Sequence, residues 1–214
     1  MIMAIMIICA MSIMGTAFAT PSTLIWIPST DIQAKGTGHV GVDMYAANEG
    51  HPLMDYGLTF GVTNFEYGID YLDTSGGIND PVRLNAKYLI KDEAEDMPRL
   101  TVGLYDVGGS AASNIGYLLA SKTFPAARFT LGYGIGKSSV LGDDNNMIFA
   151  GLDKSLNDKF WVAVDYQSGK SAFGALSAGV AYNFTKTTSL IVGYDWYNDS
   201  SLADTFTMQL DMNF

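Results

Sequence analysis

Charged side chains recur with even spacing in several segments of the sequence, and they are the first candidates for chemistry. The basic set is Arg83, Lys87, Lys91, Arg99, Lys122 and Arg128. The acidic set flanks it along the chain and comprises Asp43, Asp55, Glu66, Asp70, Asp165, Asp195 and Asp211. If both sets line one lumen, a basic wall faces an acidic wall. Such a transverse arrangement orients polar solutes at a constriction, which indicates a pore.

The same charges also fit a barrel without a channel. Opposed basic and acidic side chains would neutralise each other inside a narrow barrel that is filled with side chains. Barrels of about eight strands are filled, whereas barrels of about sixteen hold water. A barrel of intermediate size leaves both interpretations open.

Catalytic residues are sparse. The sequence has 2 histidines, His39 and His51, and neither has the neighbouring serine that nucleophilic catalysis would need. The outer-membrane phospholipases use a Ser-His-Asn site, and no His-x-Ser pairing exists here. We therefore predict that the protein is not an enzyme and has no cofactor.

A glycine-rich run, residues 131–139, superficially matches a phosphate-binding loop. The match fails because Leu131 stands where the first glycine is required. Gly132, Gly134 and Gly136 are instead predicted to face the lumen of a strand-built fold. Residues 143–146, Asp-Asp-Asn-Asn, offer oxygen ligands for calcium, but such loops are usually solvated turns, and we predict no metal site.

Period-two alternation of apolar residues predicts the elements that carry these side chains. We count 12 such segments, each about ten residues long, beginning near Val40, Met54, Phe65, Val82, Leu100, Ile115, Phe129, Met147, Phe160, Leu176, Leu190 and Phe206. In the sixth, Ile115, Tyr117 and Leu119 are assigned to the apolar outer face, which turns Lys122 inward. Residues 92–97 form the one long link where a short turn is expected.

Short turns alternate with longer polar loops between the segments, as in a transmembrane β-barrel. A soluble all-β sandwich or lipocalin-like barrel also alternates, with its apolar face inward. Aromatic residues near strand ends favour the membrane barrel, because they would form girdles at the two interfaces. These residues are Tyr56, Phe65, Tyr71, Tyr88, Phe129, Tyr166, Tyr182, Trp196 and Phe214.

The chain divides into three predicted parts. Residues 1–19 are an uncharged apolar run ending in Ala17-Phe18-Ala19, which predicts a cleaved signal peptide; a membrane anchor is the alternative. Residues 20–36 do not alternate and are predicted either to plug the lumen or to pack under the barrel as a periplasmic tail. Residues 37–214 are predicted to form the barrel.

The last segment, ending in TMQLDMNF, resembles the final strand of bacterial outer-membrane β-barrel proteins. The resemblance implies a porin-like, all-β, antiparallel up-and-down barrel of about twelve strands in the outer membrane of a Gram-negative bacterium. It also implies that Leu210, Met212 and Phe214 form the signal read by the barrel assembly machinery. The expected partners are outer-membrane lipid and a small polar solute. The net charge of -10 argues against nucleic acid.

Two functions follow from this reading. The first is a narrow passive pore for small polar solutes. The alternative is a closed structural or surface-binding barrel that acts through its outer loops.

Overall fold

The computed structural model describes residues 22–74 and 76–214, so the predicted signal peptide lies outside the described residues. All strands pair antiparallel with their chain neighbours, and β1 also pairs with β12 to close a barrel. The strands are β1 (Gly38–Ala46), β2 (Leu53–Val62), β3 (Phe65–Asp73), β4 (Val82–Lys91), β5 (Arg99–Val107), β6 (Ile115–Thr123), β7 (Arg128–Ile135), β8 (Asn146–Ser155), β9 (Phe160–Gln167), β10 (Ala175–Asn183), β11 (Thr188–Tyr197) and β12 (Thr205–Asn213). The predicted closed barrel of 12 strands is confirmed.

The strands alternate between an apolar outer face and an enclosed inner face. On β7, Leu131 is 63% exposed whereas its neighbour Thr130 is 1% exposed. The aromatic residues predicted to lie in the interface girdles are all exposed. Closure of the barrel pairs the backbone groups at every strand edge. The apolar outer face is suited to contact with lipid.

Connections of different length separate the two ends of the barrel. The links 63–64, 92–98, 124–127, 156–159 and 184–187 lie at one end, which we call the turn end; all except the seven-residue link 92–98 are at most four residues long. The start of β1 and the end of β12 lie there too. The longer links, residues 47–52, 74–81, 108–114, 136–145, 168–174 and 198–204, lie at the other end, the loop end.

The longest link at the loop end folds back over the barrel. It contains a short helix, α1 (Ser138–Leu141), followed by a 3-10 turn (Gly142–Asp144). Leu141 is only 7% exposed and packs among interior apolar residues. No helix in the described part of the chain is long and apolar enough to cross a membrane.

The assignment of β6 was wrong in one respect. Ile115, Tyr117 and Leu119 point into the barrel and are 6% exposed or less, whereas Leu118 faces outward and is 52% exposed. Both faces of β6 are largely apolar, so polarity alone could not decide which one meets lipid. The inner face is apolar because it packs against other apolar residues inside the barrel.

Phe214 completes the closure between β1 and β12. The Gly38 N–H donates to the Phe214 carbonyl at 2.8 Å, and the Phe214 N–H donates to the Gly38 carbonyl at 2.9 Å. A side chain at position 38 would collide with the Phe214 ring, 2.4 Å away. Gly38 therefore allows the terminal ring to lie across the seam.

Candidate functional site

Residues 22–29 form a hairpin inside the barrel. Thr23 bridges Pro28, and the Leu24 N–H donates to the Ile27 carbonyl at 2.9 Å. Leu24, Ile25 and Ile27 are each at most 1% exposed. Irregular backbone at membrane depth is tolerated where protein surrounds it. We refer to residues 22–29 as the hairpin and to residues 30–37 as the connecting stretch.

The tip of the hairpin is held by a single carboxylate. Asp165 Oδ2, on β9, accepts the N–H groups of Ile25, Trp26 and Ile27 at 2.8, 3.0 and 3.3 Å. Gln209, on β12, donates to the Ile25 carbonyl at 2.8 Å. Three N–H groups that converge on one carboxylate oxygen, together with the Gln209 contact, fix the position of the tip.

Trp26 joins the hairpin to the loop end of the barrel. Its indole N–H donates to the Phe173 carbonyl, in the link 168–174, at 2.7 Å. Its ring packs edge-on against Tyr45, at 5.4 Å between centroids, and Tyr197, at 5.6 Å. Tyr45 and Tyr197 lie at the loop ends of β1 and β11, so the hairpin reaches through most of the barrel length.

The connecting stretch is clamped near the turn end by two arginines. Asp31 Oδ2 lies 2.6 Å from Arg128 Nη1, and Asp31 Oδ1 lies 3.6 Å from Arg99 Nη1. Arg128 also donates from Nε to Asp153 at 2.9 Å. Thr30 Oγ1 lies 2.5 Å from Ser121 Oγ on β6. The stretch is thus tied to β5, β6 and β7.

A buried ion pair on β3 and β4 contacts both the hairpin and the connecting stretch. Lys87 Nζ is 3.1 Å from Glu66 Oε1, and both side chains are 3% exposed. Lys87 also donates to the Ser22 and Asp31 carbonyls, at 3.2 and 2.5 Å. Glu66 accepts the Gln33 N–H at 2.5 Å. A buried pair needs such additional hydrogen bonds to offset desolvation, and here the N-terminal segment supplies them.

Glycines in the wall make room for this internal segment. A Cβ at Gly61 would lie 2.2 Å from the carbonyl oxygens of Gln33 and Ala34. A Cβ at Gly151 would lie 2.5 Å from Leu24 Cδ1. The glycines predicted to face the lumen on β7 do point inward, where Gly132 lies against Leu119.

One side of the interior is an apolar core. It is formed by Leu24, Ile25 and Ile27 of the hairpin together with side chains mainly from β6, β8, β9, β10 and β11. Those wall residues are Ile115, Tyr117, Leu119, Leu141, Met147, Phe149, Trp161, Ala163, Ala181 and Ile191. The lumen is therefore not polar throughout.

The other side of the interior contains a cavity of about 360 Å³. It is bounded mainly by β1 to β5 and by the hairpin, and it extends from His39 near the turn end to Leu53 and Phe173 at the loop end. Among the predicted site residues, those that line it are Asp43, Asp55, Glu66, Asp70, Asp211, Arg83 and Lys87. The structure thus brings most of the acidic set to one space.

The basic groups do not form a free wall facing these acids. Arg83 is bound to Asp106 at 2.6 Å, on the neighbouring strand. Lys87 is bound to Glu66, while Arg99 and Arg128 contact Asp31. The expected opposition of two charged walls is therefore replaced by local ion pairs and by contacts with the connecting stretch.

The remaining predicted lining residues do not line the cavity: Asp165 binds the hairpin tip, Arg99 and Arg128 contact Asp31, and Lys91, Lys122 and Asp195 lie elsewhere. Lys122 lies at the turn end, and its Nζ donates to the Ala94 carbonyl at 2.6 Å. Its side chain does not point into the lumen, because the two faces of β6 are oriented opposite to the prediction. Lys91 is exposed beyond an irregularity in the β4–β5 register. Asp195 points inward and is 0% exposed, but it is hydrogen-bonded by Thr205 at 3.0 Å and does not line the cavity.

Sequence reasoning missed several interior partners. Asp31 lies in the segment without alternation, Asp106 near the end of β5, and Asp153 on β8. His39 was considered only for catalysis, yet its Nε2 lies 3.3 Å from Asp211 Oδ1. Within residues 22–74 and 76–214, no group of three or more His, Cys, Asp or Glu residues is arranged to hold a metal ion.

The closed barrel, its apolar exterior and its enclosed charged interior define a porin-like transmembrane β-barrel protein. Two solved structures have the same fold. The structure titled KdgM porin aligns with a TM-score of 0.61 and 11% identity over 82% of this chain and 99% of that chain. The NanC porin aligns with a TM-score of 0.51 and 15% identity over 83% and 98% of the respective chains. At these identities the likeness concerns the fold.

Residues 62–214 match the family described as "YjbH: Exopolysaccharide biosynthesis protein YbjH". Because the match spans more than half of the sequence, the chain belongs to this family. A comparison with curated proteins gave no match.

Proposed function

We propose that this protein is a narrow outer-membrane pore for small polar solutes, partly closed by its own hairpin. The observation that supports this most directly is the cavity of about 360 Å³ beside the hairpin. Its volume is near the lower limit of small-molecule pockets, roughly 300 to 1,000 Å³. The size favours a small solute over a polymer. The family description favours exopolysaccharide production as the process that this passage serves.

In this proposal residues 20–36 are the plug. Apolar burial of Leu24, Ile25 and Ile27 holds the hairpin in the barrel, each side chain contributing about 1.5–3 kcal/mol. The polar contacts of Asp31 and Asp165 orient it. If the hairpin left the barrel, the space that it occupies would become continuous with the cavity. The resulting path for solutes would be wider.

A reversible crosslink tests this directly. Thr30 Oγ1 and Ser121 Oγ are 2.5 Å apart, close enough for cysteines at both positions to form a disulfide. The sequence has 1 cysteine, Cys9, within the predicted signal peptide, so no other thiol interferes after cleavage. We expect the oxidised double variant T30C/S121C to conduct less in a planar bilayer than the reduced one. The single variants are the controls.

Deletion of residues 20–35 is a second, independent test. Discrete channel steps that become larger on deletion would support both the pore and the plug. If the wild type, the reduced double variant and the deletion variant are all silent, while a heat-dependent gel shift shows that each is folded, the pore is excluded. The closed barrel acting through its outer loops would then be the better proposal.

A further inference from the structure

The cavity carries carboxyl groups that form no ion pair within residues 22–74 and 76–214, although Asp70 accepts a hydrogen bond from Asn85 at 2.7 Å. Asp43 on β1 and Asp55 on β2 lie directly opposite each other in the strand register. Asp70, on β3, lines the same space. Like charges directly opposite on neighbouring strands are destabilising. This arrangement therefore stands out from the paired charges elsewhere in the barrel.

The nearby basic side chains are bound to other acids. Arg83 is held by Asp106, Lys87 by Glu66 and His39 by Asp211. In the described part of the chain, no ion pair includes Asp43, Asp55 or Asp70. The Oδ1 atoms of Asp43 and Asp55 are also enclosed without a hydrogen-bond partner among the described residues. An enclosed acceptor of this kind is costly unless a ligand binds it.

Aromatic side chains surround the same cavity toward the loop end. They are Trp26, Tyr45, Tyr105, Phe173 and Tyr197. Trp26 makes T-shaped contacts with Tyr45 and Tyr197, and Tyr105 packs against Phe173 with ring centroids 5.9 Å apart. Aromatic faces attract cations, most strongly when the cation is shielded from water. Carboxylates and aromatic rings together suit an organic cation better than a metal ion, which would use the oxygens alone.

We propose that this cavity binds small organic cations, with a protonated or quaternary amine between Asp43, Asp55 and the aromatic rings. The inference rests on the proposed function, since it names the class of solute that the pore admits. The cation would supply the counter-charge that Asp43 and Asp55 do not find in any ion pair among the described residues. A neutral solute of the same shape has no such advantage.

The test uses choline and its neutral isostere 3,3-dimethylbutan-1-ol. Binding of each to the refolded protein in detergent is measured by isothermal titration calorimetry. We expect choline to bind at least about tenfold more tightly, since a desolvated cation–π contact and a carboxylate each contribute on the order of the 1.4 kcal/mol that corresponds to tenfold. Equal affinities, or no detectable choline binding, would overturn the proposal. This comparison requires no variant.

Variants then locate the site. The double substitution D43N/D55N keeps the side-chain shape and should abolish the preference for choline. D158N removes one charge from the exposed turn 156–159 and should leave the preference unchanged. If D43N/D55N, verified as folded by its heat-dependent gel shift, retains the full preference, this site is excluded.

The calorimetric result does not depend on conduction. Choline preference together with a silent bilayer would support the binding site and contradict the pore. Channel steps without any choline preference would support the pore and contradict this inference. The two proposals can therefore fail separately.

Discussion

The carboxylate of Asp31 lies 2.6 Å from Nη1 of Arg128, and this contact ties the N-terminal segment to the barrel wall. The same carboxylate reaches Arg99, so one residue joins β5 and β7 through the interior. Among the described residues, the other acidic partners are Asp153 for Arg128 and the exposed Asp92 for Arg99. Asp31 therefore links the position of the N-terminal segment to the electrostatics of the lumen.

Substitution of Asp31 should loosen the N-terminal segment. In D31N the two guanidinium groups lose a shared acid, and breaking such a largely buried pair costs about 3 kcal/mol. We expect faster amide hydrogen exchange in residues 22–33 and larger conductance steps. D92N is the matched control, because Asp92 also contacts Arg99, at 3.2 Å, but is 67% exposed and should contribute less than about 1 kcal/mol. Equal effects of the two substitutions would contradict the clamp.

Substitution of Gly61 should displace the connecting stretch from the other side. A methyl group there would collide with the backbone carbonyls of Gln33 and Ala34, which cannot rotate away as a side-chain end can. We expect G61A to lose about 1–3 kcal/mol of stability in urea unfolding and to raise conductance. G41A, on the adjacent strand, meets no atom closer than 3.5 Å and should change stability by less than about 0.5 kcal/mol. Wild-type behaviour of G61A would show that the stretch does not lie there.

Removal of Lys87 should destabilise the barrel through its buried partner. K87M leaves the enclosed Glu66 without its cation, which costs about 3–5 kcal/mol. The double variant K87M/E66Q removes both charges and should recover most of that loss. Urea unfolding, followed by the heat-dependent gel shift, measures both. A double variant as unstable as K87M would show that packing, not charge, is responsible.

The aromatic terminus should affect assembly more than stability. Phe214 is 65% exposed, and its backbone bonds to Gly38 do not need the ring, so F214A should lose only about 1 kcal/mol. If Phe214 belongs to the assembly signal, F214A should fold much more slowly in the presence of the barrel assembly machinery. F206A, at the other end of β12 and also outward-facing, is the control. Equal assembly rates for both variants would remove Phe214 from the signal.

Period-two alternation predicted the barrel because the two faces of most strands meet different surroundings. On β12, Phe206, Met208, Leu210, Met212 and Phe214 face outward as expected, and the intervening polar residues are enclosed. The rule failed on β6, where lipid lies on one side and the apolar core on the other. When a strand is apolar on both faces, its sequence does not show which face points into the barrel and which contacts lipid.

The sequence by itself determined the strands, their lipid-facing residues and most of the charges inside the barrel, because these depend on alternation between neighbours in the chain. Tertiary structure alone decided how those charges pair. Asp31 meets Arg128, 97 residues away, and Asp165 meets Ile25, 140 residues away. Such contacts arise only when the closed barrel encloses the N-terminal segment. The Oδ1 atoms of Asp43 and Asp55 have no hydrogen-bond partner among the described residues, because the nearby basic side chains contact other acids.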